Sequence, residues 1–230
     1  MYGQFFILFG LILVGYYCNK KGYLPMETNK NVGNMVMRVT IPAMLITTIA
    51  GIEITDRVLK AFLFSAAGQA AMMILFGFLM RQYGRKRGLD SRLLPMIDLT
   101  TGSLNTGFIG LPVTMIFFGQ AGIIYMSAGV LALNLYIWTY GVYVISDKKA
   151  TGAAAIGKSF LQGAINPNCI SILLGLLLAV THTARFVPTV MFKILTKVGD
   201  LSTPLSLIYI GAFAGVSGIV QKKKKKMALE

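Results

Sequence analysis

The sequence predicts an all-α polytopic membrane protein, and three observations carry that prediction. Hydrophobic residues make up 55% of the 230-residue, 25.0 kDa chain and charged residues only 13%, with a mean hydropathy of +0.68. That leaves too little polar surface to coat a soluble globule. The apolar residues come in runs near the length that spans a bilayer, roughly 20 residues at 1.5 Å each. Lysine and arginine stand between those runs, so the net charge of +14 reads as a topology signal instead of a nucleic-acid footprint. The lipid bilayer is therefore an expected partner, and nucleic acid is not.

Seven runs are found, at approximately 2–18, 32–52, 58–80, 96–118, 121–145, 164–181 and 201–220. No basic residue precedes the first, and Asn19, Lys20 and Lys21 follow it in place of a small-residue cleavage site, so it is a membrane helix and not a signal peptide. The fourth is the most interrupted, by Gly102, Gly107, Gly110 and Pro112. Counting basic residues on alternate sides gives 16 on one, in groups at 20–30, 81–92, 148–158 and 222–226. The other side has five, Arg57, Lys60, Arg185, Lys193 and Lys197, while Arg38 lies inside a span. The asymmetry puts the N-terminus outside a plasma or inner membrane and the tail after Lys222 in the cytoplasm.

An internal repeat is expected as well. Val39-Thr40-Ile41-Pro42-Ala43-Met44-Leu45-Ile46 has a counterpart 162 residues later in Leu201-Ser202-Thr203-Pro204-Leu205-Ser206-Leu207-Ile208. The same shift carries the first run onto the sixth. The two copies are five spans apart, an odd number, so the second enters the membrane from the opposite side, as in inverted-repeat transporters. The organisation that follows is a first five-helix repeat at 1–145, a cytoplasmic linker at 146–163, two helices of an inverted second repeat at 164–220 and a Lys-rich cytoplasmic tail at 221–230. Continued past the last residue, the shift calls for three more spans, so seven of ten helices are expected in this chain. A frameshift, a truncation and a natural seven-helix product all remain open.

Enzyme chemistry is not expected. The chain lacks HExxH, GxSxG, GxxxxGK[ST] and a Rossmann glycine pattern, and its one histidine, His182, cannot build a triad or a metal cluster by itself. The two cysteines, Cys18 and Cys169, have no metal or redox spacing. No cofactor and no metal site are expected. A retinal-type receptor would need a lysine in the middle of the last span, which has none.

Polar chemistry concentrates in the fourth span, Asp98-Leu-Thr-Thr-Gly-Ser-Leu-Asn105-Thr-Gly-Phe-Ile-Gly-Leu-Pro112. Pro112 cannot donate to the carbonyl of Phe108, so the helix is expected to break near there, and broken backbone at membrane depth is tolerated only inside protein or beside water. The candidate substrate-binding residues are Asn105, Thr106, Gly107, Gly110 and Pro112, with Asn134 from span five. The competing reading makes Asn105 and Asn134 hydrogen-bond across helices. Asp98 is the lone carboxylate in the span: either a coupling residue or a charge favoured by the start of its helix. Asn166 before Pro167 reads as a helix cap, and Tyr136, Trp138, Tyr140 and Tyr143 as an aromatic belt.

The run from Asn105 through Pro112 to Val113, with Ile41-Pro42-Ala43-Met44-Leu45, Asn166-Pro167-Asn168 and Thr203-Pro204-Leu205-Ser206-Leu207-Ile208, resembles the auxin efflux carrier family, whose bacterial members are often described as malate permeases. The resemblance implies a secondary transporter with ten helices in two inverted repeats, a broken helix from each half crossing at a central site, and Asn105 and Pro112 on the first of these. It implies a small organic anion such as a carboxylate as substrate, moved by alternating access. The principal rival is a seven-helix receptor or assembly partner that transports nothing. Pairing with a second copy of the chain, as a homodimer, is left open.

Overall fold

The computed structural model describes residues 2–91, 93–141 and 165–227, with side chains to residue 216, and the described elements are all helical. Helix α1 is Tyr2–Lys20; α2, Met26–Met35, continues through a π turn, Val36–Thr40, into α3, Ile41–Ala50. Helix α4 is Asp56–Lys86 and α5 is Leu94–Gly102. A second π turn, Thr106–Gly110, leads into α6, Leu111–Tyr136, and a third covers Ile137–Gly141. Helix α7, Pro167–Val180, a 3-10 turn at Thr183–Phe186, α8, Thr189–Asp200, and α9, Ser202–Met227, complete the described chain. The linker expected at 146–163 and Tyr143 lie outside the described residues.

Among the described residues four helical segments, Tyr2–Lys20, Met26–Ala50, Asp56–Lys86 and Leu94–Gly141, are long and apolar enough to cross a membrane, and Pro167–Val180 is a shorter apolar helix. The fourth segment holds two of the expected spans. Gly119 has φ 62° and ψ −157°, a backbone region only glycine enters without strain, and there the chain turns back on itself. Three contacts record the antiparallel return: Gly110 against Met126, Gly102 against Tyr136, and Gly141 against Leu99.

The core gathers on α3. Every residue from Ile41 to Ala50 except Ile46 is buried, and Ile41, Leu45 and Ile49 pack with Phe62 of α4, Leu111, Ile123 and Ile124 of α6, and Ile172 of α7. The outer surface is apolar, as lipid requires: Phe5, Phe6, Phe9 and Leu13 on α1, and Leu63, Phe64, Ile74 and Phe78 on α4, are all exposed. Helix α1 pairs with α9 so closely that a Cβ on Gly15 would overlap the carbonyl oxygen of Ile208, and one on Gly211 that of Ile12. The helix α8 was not among the seven runs; Lys193 and Lys197 interrupt its apolar residues, and its face with Val190, Met191 and Ile194 is exposed.

Candidate functional site

The site is built around the interruption between α5 and α6. The sequence locates that break at Pro112; the structure puts it at Ser103–Asn105, where ψ is 93° at Ser103 and 72° at Asn105. Pro112 instead occupies the first turn of α6. The reason is the π turn before it. A proline crowds the carbonyl four residues back and offers no N–H, and a widened turn removes the conflict. The N–H of Leu111 reaches the oxygen of Thr106, five residues back. Pro42 is accommodated likewise: it follows the π turn Val36–Thr40, in which the N–H of Ile41 bonds to the oxygen of Val36.

Asn105 is exposed and caps the π turn: its Oδ1 accepts from the N–H of Phe108 at 3.1 Å. Thr106 is 2% exposed and its hydroxyl has no hydrogen-bond partner among the described residues. Gly107 faces Met37, and the N–H of Gly110 bonds to the oxygen of Asn105 at 3.0 Å. These residues therefore form one continuous, partly open turn between two helix ends. Asn134 is not part of that turn. Its Nδ2 donates to the carbonyl of Val130 at 2.8 Å, although the antiparallel register of α6 brings it level with the break.

The turn is backed by groups the sequence did not single out. The ring of Phe108 stacks on Tyr209 of α9, centroids 4.5 Å apart. Tyr209 lies over Gly33, and Asn29 Nδ2 donates to the Tyr209 carbonyl at 3.2 Å. Asn29 is 1% exposed, and its Oδ1 has no hydrogen-bond partner among the described residues, nor do the hydroxyls of buried Ser202 and Ser206 at the start of α9. Asn166 caps α7 as expected, its Oδ1 accepting from the N–H of Asn168 at 2.9 Å.

Asp98 is the fifth residue of α5 and is 1% exposed. Its Oδ2 accepts from the Tyr140 hydroxyl at 2.6 Å and from Arg81 Nη1 at 3.3 Å. Tyr140 stacks on Tyr136, centroids 5.2 Å apart, and Tyr136 is 5% exposed with its hydroxyl at Gly102. Tyr140 is thus the hydrogen-bond partner of a buried carboxylate and Tyr136 is itself buried, so the two are not belt residues at the lipid interface. Their i, i+4 spacing, and an arginine at the end of an apolar run, were the signals available.

Two comparisons with known proteins bear on this arrangement. The membrane transport protein family matches residues 1–224. An uncharacterized transporter of Methanothermobacter thermautotrophicus is 30% identical over 117 residues, which is 50% of this chain and 37% of that protein. The chain thus spans well under half the length of that relative.

Proposed function

We propose that this chain, which belongs to the membrane transport protein family, carries small organic anions such as carboxylates across a cell membrane as a secondary transporter working by alternating access. One observation carries the reading: the chain leaves helical geometry at Ser103–Asn105, between two helix ends, with an exposed amide at Asn105 and a buried hydroxyl at Thr106 that has no partner among the described residues. Interrupted helices with free polar groups at membrane depth are how inverted-repeat transporters build substrate sites. On this reading Asn105, Thr106, Gly107, Gly110 and Pro112 form the first half of the site and Asn134 approaches from the returning helix. Asp98 is the coupling residue.

The inverted repeat belongs to the same proposal. A shift of 162 residues carries α1, α2 and α3 onto the segments of α7, α8 and α9. The close contacts exchange in the way a two-fold relation requires: Gly211 meets Ile12 and Gly175 meets Ile49, and the shift carries Ile49 to Gly211 and Ile12 to within one residue of Gly175. The membrane is the plasma or inner membrane, with the N-terminus outside.

Flux of labelled carboxylates into vesicles holding the chain tests this, with Asn105→Ala beside the unaltered protein. Loss of flux in a folded variant supports the assignment; undiminished flux overturns it. No carboxylate flux from a folded, unaltered protein favours the receptor or assembly reading.

A further inference from the structure

We propose that Asp98 is a proton-operated latch that ties α5 to α4 through Arg81, and that binding a proton at Oδ1 releases it. The proposal deepens the transport reading, in which Asp98 serves coupling, by naming the proton as the coupled ion and the partners that respond to it.

Three helices converge on this carboxylate. Arg81 comes from α4 and Tyr140 from the turn after α6, and both donate to Oδ2. The other oxygen, Oδ1, is buried and has no hydrogen-bond partner among the described residues, and the same holds for the hydroxyl of Tyr136. Both atoms lie within 3.1 Å of one point, the position a Cβ on Gly77 would occupy. Glycine at 77 is what lets the carboxylate lie against the backbone of α4. Arg81, Tyr136 and Tyr140 are the described titratable or charged groups that face Asp98.

A buried acceptor without a donor is unfavourable, and a buried charge is tolerated only when paired. The charge on Asp98 is paired with Arg81, but Oδ1 has no donor among the described residues, and protonation removes that unmet acceptor. A hydronium ion gives its proton to a lone pair of Oδ1 and leaves as water, and the new O–H lies beside the Tyr136 hydroxyl in the space that Gly77 leaves open. No covalent bond breaks beyond the one that delivered the proton, and the carboxyl becomes neutral. Arg81 then loses its counter-charge; its side chain is 32% exposed, so it has water to turn to. An alkali cation fits the place less well. It needs room for several oxygen ligands and would stand beside a guanidinium, whereas a proton needs no room.

The consequence for transport follows from position. Asp98 is near the middle of α5, a helix of nine residues, and the non-helical segment begins at Ser103, one residue beyond its end. With the latch closed, α5 is fixed to α4 through Arg81. With it open, α5 can tilt about Ser103–Asn105 and change the shape of the half-site that Asn105 caps.

The test is infrared difference spectroscopy of the full 230-residue chain in lipid nanodiscs, acidified over the range in which its helical circular dichroism is constant. A carbonyl band of a protonated, buried carboxylic acid is expected on acidification. It should be lost in Asp98→Asn, shifted in Tyr136→Phe and unmoved in Asp200→Asn. If Asp98→Asn does not fold, the shift in Tyr136→Phe decides, and an unshifted band overturns the proposal. Absence of any such band, its survival in Asp98→Asn, or the same spectral change on adding sodium at constant pH also overturns it. The readout needs no substrate, so a protein that shows the band but carries no carboxylate sinks the transport reading and leaves the latch standing.

Discussion

Phe108 and Tyr209 stack with ring centroids 4.5 Å apart and ring planes 21° from parallel, which joins the π turn after the break to the start of α9. The two residues are a direct link between the interrupted helix and the helix that the 162-residue offset relates to α3. Stacked aromatic pairs contribute about 0.5–1.5 kcal/mol beyond the area they bury. A double-mutant cycle with Phe108→Leu and Tyr209→Leu, read by denaturant unfolding in detergent, should return a coupling energy in that range. Strict additivity would mean that the rings touch without holding the two segments together.

Asn105 has two roles that one substitution separates. Its Oδ1 caps the π turn by accepting from Phe108 N–H, and an aspartate caps about as well as an asparagine, whereas alanine costs about 1 kcal/mol. Asn105→Asp should therefore unfold within about 0.5 kcal/mol of the unaltered protein. If the substrate is an anion, the same change puts a negative charge where the substrate binds and should abolish flux. Flux preserved in Asn105→Asp would argue against an anionic substrate at this turn.

Glycine positions along α1 should respond with opposite signs. A Cβ on Gly10 meets nothing within 4 Å, whereas one on Gly15 would overlap the Ile208 carbonyl oxygen. Gly10→Ala removes backbone entropy from the unfolded chain and should stabilise by up to about 1 kcal/mol. Gly15→Ala must push α9 away from α1 and should destabilise by about 1–3 kcal/mol. Thermal unfolding followed by circular dichroism distinguishes them, and equal effects would contradict the close approach.

Much of this architecture was legible because hydrophobic run length and glycine-proline punctuation act locally. The turn at Gly119 falls in the gap between the fourth and fifth runs, and the cap at Asn166 needed only its own neighbours. The break was misplaced because the effect of Pro112 depends on how the preceding turn relaxes: a π turn absorbs it, and the chain departs from the helix after Gly102 instead. The partners of Asp98 are 17 and 42 residues away in sequence, so only the packing of three helices reveals them. Helix α8 escaped notice because two lysines within twelve residues keep it from reading as a span.

Orientation gives the last prediction. The division of 16 basic residues to five predicts that the connection between α4 and α5 is cytoplasmic and that the one between α3 and α4 is outside. Glu53 and Ser91 lie in these two connections, before Asp56 and after Lys86. In a background with Cys18→Ala and Cys169→Ala, a cysteine at each should behave oppositely toward a membrane-impermeant maleimide. Glu53→Cys should label in intact cells, and Ser91→Cys only after the membrane is opened. The second result also bears on the latch. Arg81 lies five residues before the end of α4, on the same side as Ser91, so the proton that opens Asp98 would come from the cytoplasm. Labelling of Ser91→Cys from outside intact cells would reverse both the topology and the side from which that proton arrives.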